Sequence, residues 1–571
     1  CSGLTSIEIP AGVTSIGSEA FSDCSGLTGI VVEAGNTVYD SRDNCNAIIE
    51  KETNTLIQGC NNTKIPSGVT KIGSFAFDGC SGLTDIEIPP SVTSIGEAAF
   101  SDCSGLTRIE IPSSVTSIGV DAFWNCSGLT GIEIPSSVMS IGEGVFRGCS
   151  GLTGIEIPSS VTSIGRSAFS DCSGLTRIEI PVGVTEIGSF AFDDCSGLTS
   201  IKIPSSVTSI GDGAFYGCSR LTSIVVEAGN TVYDSRDNCN AIIEKETNTL
   251  IQGCKNTKIP AGVTSIGEYA FSGCSGLTST EIPAGVTSIG SEAFSDCSGL
   301  TGIVVEAGNT VYDSRDNCNA IIEKETNTLI QGCNNTKIPS GVTKIGSFAF
   351  DGCSGLTDIE IPPSVTSIGE AAFSDCSGLT RIEIPSSVTS IGVDAFWNCS
   401  GLTGIEIPSS VMSIGEGVFR GCSGLTGIEI PSSVTSIGRS AFSDCSGLTR
   451  IEIPVGVTEI GSFAFDDCSG LTSIKIPSSV TSIGDGAFYG CSRLTSIVVE
   501  AGNTVYDSRD NCNAIIEKET NTLIQGCKNT KIPAGVTSIG EYAFSGCSGL
   551  TSTEIPAGVT SIGSEAFSDC S

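Results

Sequence analysis

The stretch that decides the fold runs from Cys103 to Asn125 and reads CSGLTRIEIPSSVTSIGVDAFWN. The same pattern returns every 23 residues, and a cysteine opens each copy, at Cys80, Cys103, Cys126, Cys149, Cys172, Cys195 and Cys218. The positions that stay apolar correspond to Cys103, Leu106, Ile109, Ile111, Val115, Ile118, Ala122 and Phe123. A fixed period of this length is typical of repeat architectures.

Each copy of the pattern is interpreted as one coil of chain. Leu106, Ile109 and Ile111 lie between polar residues, which predicts a short strand with one buried face. Pro112 ends this strand because it cannot donate to a ladder, and Val115 begins the way back. One coil buries too little apolar surface to fold alone, so coils must stack and share a core. The sequence therefore predicts a mainly β repeat solenoid with one short parallel strand plus a return leg per 23-residue coil.

A longer period of 273 residues lies above the short one. Residues 1–298 match residues 274–571 after this shift, and the only difference is Ile7 against Thr280. We therefore expect one continuous solenoid over residues 1–571, with an exterior that repeats together with its core. Both ends fall at the same point of the repeat, so we expect the chain to be a segment of a longer array.

Four irregular modules break the short rhythm, because the cysteine spacing changes there to 36 and then 20 residues. In the first module, two apolar pairs flank the polar turn Lys51–Asn54, which predicts a β-hairpin. A symmetric register pairs Ile48 with Ile57 and Ile49 with Leu56. The modules occupy residues 24–80, 218–274, 297–353 and 491–547.

The cysteines allow more than one interpretation. The hairpin register also brings Cys45 opposite Cys60, which suggests a disulfide, and the alternative is that both thiols are buried and free. The cysteine that opens each coil is interpreted as a small buried hydrophobe, with bridges between neighbouring coils as the alternative. A line of cysteines without histidine does not form the converging ligand set of a metal site.

The composition excludes several classes of function. Asp and Glu number 63 against 28 Lys and Arg, which gives a net charge of -35. Such a surface repels nucleic acid and anionic membranes, and no apolar run approaches the roughly 18 residues of a membrane span. The chain contains no histidine, so it lacks the usual general base at neutral pH and the commonest metal ligand. We therefore expect no enzymatic activity and no bound cofactor.

The main candidate site is a row of glutamates that alternate with inward isoleucines and therefore point outward. Stacked one coil apart, their carboxylates repel each other, and either calcium or a basic protein partner would offset the repulsion. Arg108 and Arg177 would offset it locally, whereas an ordinary solvated face is the alternative to any binding role. The row consists of Glu87, Glu110, Glu133, Glu156 and Glu179, and Lys202 interrupts it.

Two minor candidate sites lie in the irregular modules. Asp40 and Asp43 belong to a polar loop that is interpreted as an ordinary solvated loop, with a calcium site as the alternative, because the spacing does not match an EF-hand. Asn61 and Asn334 begin Asn-Asn-Thr sequences, which are acceptor patterns for N-glycosylation.

The pattern CSGLTSIEIP followed by VTSIGSEAF resembles the BspA-like leucine-rich-repeat family of bacterial and protist surface proteins, and VVEAGNTVYDSRDN resembles the irregular module of that family. The resemblance covers essentially all 571 residues. It implies a leucine-rich-repeat fold, a secreted or cell-surface location and, for some members, adhesion to host matrix proteins. It supplies no active site.

Two functions follow as expectations. The first is a non-catalytic extracellular structural or adhesive protein, part of a long fibre or filament that associates with itself end to end or laterally. The second is a surface adhesin that binds host extracellular-matrix proteins through the acidic sheet face. Neither function involves nucleic acid or insertion of this segment into a membrane.

Overall fold

The computed structural model describes residues 1–550 and 553–570. The chain divides into two compact units, and each is a mainly β solenoid, as the sequence predicts. The first unit comprises Cys1–Leu277 and Ser288–Phe294, and the second comprises Thr278–Thr287 and Ser295–Ser571. In the described part of the chain, helical structure is limited to four 3₁₀ turns, at Arg42–Asn44, Arg236–Asn238, Arg315–Asn317 and Arg509–Asn511. None of these helices is long and apolar enough to cross a membrane.

Each regular coil begins with a short strand, which we call its first strand. In the first unit these strands are Ser6–Ile9, Gly29–Val32, Asp85–Glu87, Arg108–Glu110, Gly131–Glu133, Gly154–Ile155, Arg177–Ile178, Ser200–Ile203 and Ser223–Val226. In the second unit they are Ser279–Ile282, Gly302–Val305, Arg381–Glu383, Gly404–Glu406, Gly427–Glu429, Arg450–Glu452, Ser473–Ile476 and Ser496–Val499. Neighbouring first strands pair in parallel with a shift of one coil, as Ile109 does with Ile132.

The return leg carries a second strand of two residues, which the sequence analysis did not predict. In the first unit these return strands are Lys71–Ile72, Ser94–Ile95, Ser117–Ile118, Ser140–Ile141, Ser163–Ile164, Glu186–Ile187, Ser209–Ile210, Ser265–Ile266 and Ser288–Ile289. In the second unit they are Lys344–Ile345, Ser367–Ile368, Ser390–Ile391, Ser413–Ile414, Ser436–Ile437, Glu459–Ile460, Ser482–Ile483, Ser538–Ile539 and Ser561–Ile562. They form their own parallel ladders, so both legs of a coil are held to the next coil.

The core lies between the two legs and repeats from coil to coil. Its largest side chains are phenylalanines, which stack along each unit with ring centroids 5.0 to 5.7 Å apart. Beside them, the thiol of Cys103 donates to the carbonyl oxygen of Phe77 at 3.1 Å, and the next coils repeat this contact. Cys103, Leu106 and Phe123 are fully buried. The core is therefore continuous through the regular coils of each unit because every regular coil offers the same apolar side chains in the same register.

The residue before the opening cysteine has a left-handed backbone. Its φ is 54° at Asp102, 55° at Asn125 and 73° at Gly148. Aspartate, asparagine and glycine adopt this conformation at the lowest cost. This local requirement explains why the chain places one of these three residue types before each cysteine from Cys80 to Cys218.

The irregular modules add three strands to the return-leg sheet. In the first unit these are Tyr39–Asp40, Ile48–Glu50 and Thr55–Gln58, and then Tyr233–Asp234, Ile242–Glu244 and Thr249–Gln252. In the second unit they are Tyr312–Asp313, Ile321–Glu323 and Thr328–Gln331, and then Tyr506–Asp507, Ile515–Glu517 and Thr522–Gln525. The last strand of each set pairs in parallel with the following return strand, as Leu56 does with Ile72.

The hairpin register predicted from the sequence is correct at one pair and wrong at the other. Ile49 pairs with Leu56, but Ile48 pairs with Gln58 because a β-bulge lies between Ile48 and Ile49. The bulge leaves Ile57 without a partner in the ladder. Leu56 and Gln58 thus both face inward, and Gln58 is only 6% exposed.

Candidate functional site: the acidic rows

The outward glutamates form a row on the first-strand sheet of each unit. In the first unit, Glu110 pairs with Glu87 on one side and with Glu133 on the other, and Glu133 bridges to Glu156. All five predicted members, including Glu179, are exposed. The row of the second unit comprises Glu360, Glu383, Glu406, Glu429 and Glu452.

Stacking brings the carboxylates of a row close together. Parallel neighbours lie about 4.8 Å apart along the ladder, where two like charges repel by about 1 kcal/mol in water. The inward neighbours Ile109 and Ile111 are buried and fix the outward direction of Glu110. Each row is therefore a line of negative charge held on a rigid sheet.

A lysine follows the last glutamate of each row. The Lys202 ammonium lies 2.6 Å from a carboxylate oxygen of Glu227, and Lys475 pairs with Glu500 in the second unit. The hydrogen bond from Lys202 lowers the pKa of Glu227, and the bond from the backbone amide of Ser205 lowers it further. These lysines are thus paired with the next coil rather than with the row.

The two arginines that the sequence analysis placed beside the row do not pair with it. The ion pairs of the first unit, in the part that the structure describes, involve Arg42, Arg147, Lys202 and Arg236, and they include neither Arg108 nor Arg177. Neither arginine therefore forms an ion pair with a glutamate of the row.

A shallow groove runs beside the row between the two arginines. Its floor is Gly131 and Gly154, which hold the position that Arg108 and Arg177 hold in the flanking coils, and Glu133 and Glu156 form one side. The second unit repeats the groove with Arg381, Gly404 and Gly427. This groove was not predicted from the sequence. The signal for it is one repeat position that holds Arg108, Gly131, Gly154 and Arg177 in consecutive coils.

Of the two residues of the predicted calcium site, Asp40 is bound by an arginine and Asp43 is exposed. The Nε of Arg42 donates to Asp40 at 2.8 Å, and its Nη1 donates to Asn54 at 3.0 Å, so Arg42 fastens the loop to the hairpin turn. Asp43 is exposed on the 3₁₀ turn. Over the described residues, no group of three or more acidic or cysteine side chains is arranged to hold a metal ion.

The Cys45–Cys60 disulfide suggested by the sequence is not formed. Both thiols are free and buried, and they belong to different clusters, Cys45 with Ile49 and Cys60 with Leu27. The bulge shifts the register, so that the Cys60 thiol donates to the carbonyl oxygen of Asn46 at 3.3 Å. Burial raises the pKa of Cys45 to about 11.

The two proposed glycosylation asparagines use their amides inside the protein. Asn61 donates from Nδ2 to the carbonyl oxygen of Ser25 at 2.9 Å, and Asn334 donates to Ser298 at 2.8 Å. Both side chains are half-buried. One N–H of each amide is thus engaged inside the protein, and glycosylation at either position stays a prediction.

Comparison with known proteins places this chain among repeat proteins. The chain matches a family model whose description is 'BspA type leucine rich repeat region (6 copies)'. The matched residues are 1–46, 48–173, 140–250, 241–331, 321–448, 413–518 and 515–571. No curated protein matches the chain.

The solved structures that are similar to it include the following three. A leucine-rich repeat protein from Bacteroides ovatus is 30% identical, with 72% of this chain and 86% of that one covered and a TM-score of 0.31. A leucine rich cell surface protein from Faecalibacterium prausnitzii is 29% identical, with 84% and 96% covered and a TM-score of 0.34. The pneumococcal vaccine antigen PcpA is 18% identical, with 77% and 93% covered and a TM-score of 0.33. With the family model matched over nearly its whole length, this chain belongs to the BspA-type leucine-rich-repeat family.

Proposed function

We propose that this chain is a non-catalytic repeat protein of a cell surface, and that its glutamate rows hold basic surfaces of protein partners such as matrix proteins. The observation that carries the proposal is the in-register pairing of Glu87, Glu110 and Glu133 on consecutive strands, all three exposed. Family membership and the cell-surface protein of Faecalibacterium prausnitzii support the location.

The charge of the rows favours a basic partner. A net charge of -35 attracts cationic surfaces and steers their approach. Each single contact between exposed charges is weak, on the order of 1 kcal/mol or less. The five glutamates of one row give a partner several contacts at once, which raises the overall affinity without any strong individual site.

The absence of histidine supports a non-catalytic role. The two copies of the 273-residue repeat support it further, because they differ at a single position and so carry no residue set that is unique to one place.

A variant whose second row carries no charge tests the proposal. In the test variant, the five glutamates of the second row are replaced by glutamine: Glu360, Glu383, Glu406, Glu429 and Glu452. In the control variant, five exposed glutamates away from the row are replaced by glutamine: Glu325, Glu370, Glu416, Glu459 and Glu519. Binding of both variants to immobilised matrix proteins is measured over a range of salt concentrations.

The proposal expects the row variant to bind several-fold more weakly than the control variant, and wild-type binding to fall as salt rises. Equal loss in both variants would mean that only the total charge matters. Unchanged binding in the row variant would remove the second row from the function.

Calcium is the alternative partner for a line of carboxylates. If the row binds a basic protein surface and not calcium, calcium does not stabilise the protein. Millimolar calcium should then leave the melting temperature of the metal-free protein unchanged. A clear rise in melting temperature that the row variant lacks would favour calcium instead.

The second candidate function is a structural fibre, and the 273-residue supra-repeat favours it. A partner bound at one place does not require the whole exterior to recur, whereas a fibre or a lateral assembly uses a regular surface. The continuity of the solenoid over residues 1–571 stays a prediction. Electron microscopy combined with analytical ultracentrifugation tests it: filaments that lengthen with concentration support the fibre, and monomeric rods at high concentration contradict it.

A further inference from the structure

The second irregular module of the second unit interrupts the ladder that joins the turns of neighbouring coils. In the regular coils, alternate backbone amides of the turn donate to the coil that follows. Asp394 donates to Glu416 at 3.0 Å, and Phe396 donates to Val418 at 3.0 Å. Gly486 and Phe488 hold the same two positions in the last regular coil before the module.

An amide of the hairpin donates to the backbone carbonyl oxygen that would otherwise accept from the Phe488 amide. The residue equivalent to Val418 in the coil after the module is Ala543, and its carbonyl oxygen accepts from Gly526 at 2.7 Å instead. Among the described residues, no backbone carbonyl accepts from the amides of Gly486 and Phe488. The turn ladder therefore lacks these two bonds at the seam, although Ser548 still donates to Ser492 across it at 3.2 Å.

The seam contains an open cavity of about 220 Å³. Ile483 and Ile524 form apolar walls, Gln525 and Thr522 line the hairpin side, and Asp485 and Glu541 supply two carboxylates. A water molecule occupies about 30 Å³ of the liquid. The cavity thus has room for a short organic molecule but not for a drug-sized ligand.

The charges at the cavity all have one sign. Asp485 and Glu541 are exposed carboxylates, and no lysine or arginine belongs to the lining. Aromatic rings border the same place. A Cβ added at Gly486 would meet the ring of Phe463 at 2.6 Å, and that ring lies 6.1 Å from the ring of Tyr542, the residue after Glu541.

We infer that this seam cavity binds a small organic ammonium ion, such as a protonated alkylamine. The ammonium group is placed between the carboxylates of Asp485 and Glu541, where charge attraction acts beside a partly desolvated wall. The alkyl chain lies against Ile483 and Ile524. The ligand chemistry is the same for a free amine and for the lysine side chain of a protein.

Saturation-transfer NMR with butylammonium chloride tests this inference on the full chain, at constant ionic strength. Because the seam of the first unit has the same sequence, the test variant is changed at both seams: Asp212→Asn, Glu268→Gln, Asp485→Asn and Glu541→Gln. The matched control removes the same four charges from the rows: Glu110→Gln, Glu133→Gln, Glu406→Gln and Glu429→Gln. All eight positions are exposed, so these substitutions leave the core intact.

The inference expects butylammonium to bind the wild type and the control, and binding to the seam variant to fall by about tenfold. Butanol, the neutral isostere, should show no comparable signal. Equal loss in both variants, or full displacement of the amine by potassium ions, would overturn the inference by showing only general charge attraction. A peptide with one lysine, blocked at both ends, identifies the source: tighter binding than butylammonium indicates a protein lysine, and weaker binding indicates a free amine.

Discussion

The side-chain amide of Asn230 donates a hydrogen bond to the backbone carbonyl of Val207 at 2.9 Å. The same Nδ2 donates to Pro204 at 2.9 Å, while Oδ1 accepts from the amides of Val232 at 2.9 Å and Tyr233 at 2.7 Å. The residue is only 2% exposed. A single buried carboxamide thus fastens the irregular module to the corner of the preceding coil.

Replacement of Asn230 should loosen this attachment. In Asn230→Ala, two backbone carbonyls and two backbone amides lose a partner, and we expect a loss of about 3 kcal/mol in the free energy of unfolding, because unsatisfied buried polar groups are costly. Guanidinium denaturation followed by circular dichroism measures the change. Asn62→Ala, at an exposed asparagine, is the control, and an equal effect of the two substitutions would contradict the role assigned to Asn230.

Replacement of Gly253 by alanine should lower the free energy of unfolding, because a side chain there would clash with a ring of the core. A Cβ added there would overlap the ring of Phe271, while the Gly253 amide is fixed by its 2.7 Å bond to the carbonyl oxygen of Ala270. We expect Gly253→Ala to cost about 1 to 3 kcal/mol by overpacking.

Two further variants test this explanation. Adding Phe271→Leu to Gly253→Ala should cost less than the sum of the two single changes. Gly131→Ala is the matched control, because nothing lies within 4 Å of a Cβ there and the strand gains from the loss of a glycine. Thermal melts of all four variants suffice, and additive losses would show that the ring is not the cause.

The sequence was sufficient to predict the coil and its buried face. Leu106 and Ile109 are buried where the apolar period places them, because one coil can hide its apolar side chains only by stacking on the next. The same reasoning predicted that Glu110 points outward. These conclusions depend on a period that is repeated many times, so errors at single positions do not affect them.

The details of the irregular modules could not be predicted in this way. The bulge that moves Gln58 opposite Ile48 depends on how the hairpin meets the return strands, which is a tertiary effect. The choice between a Cys45–Cys60 disulfide and two free thiols also depends on that register, and the structure has the free thiols. The role of Asn230 was not predicted because its sequence context is that of an ordinary turn residue. Its burial results from contact with the preceding coil. The groove floored by Gly131 likewise exists only after coils are stacked.

Stability should fall with rising pH because of a buried aspartate. Burial raises the pKa of Asp351 to about 7, and the nearby charge of Asp296 acts in the same direction, whereas a hydrogen bond with Ser374 opposes them. The unfolded chain has an ordinary aspartate pKa of about 3.9, so the folded state holds the proton more tightly. The stabilisation is therefore complete below about pH 4 and is lost as the pH rises through about 7.

The variant Asp351→Asn removes the contribution of this residue, whereas Asp193 and Asp466, whose pKa burial also raises, keep theirs. Asp351 is 8% exposed, and each pKa unit corresponds to about 1.4 kcal/mol, so the loss between the two pH values is about 4 kcal/mol at most. We expect the variant to melt higher than the wild type at about pH 8 and no higher at about pH 4. Asp358→Asn, at an exposed aspartate of the same unit, should leave the pH profile of the wild type unchanged. A variant profile as steep as that of the wild type would contradict the assignment.

The cysteines should be unreactive in the folded protein and free of disulfides. Cys103 is fully buried, and burial raises its pKa well above that of an ordinary thiol, so the thiolate that attacks iodoacetamide is scarce. Cys1 is exposed and Cys570 is partly exposed. We expect rapid native labelling at these two positions and slow labelling elsewhere. Without reductant, denaturation in concentrated guanidinium should then expose all 28 cysteines, as counted by intact mass. Two fewer labels, with Cys45 and Cys60 unmodified, would establish the disulfide that the structure lacks.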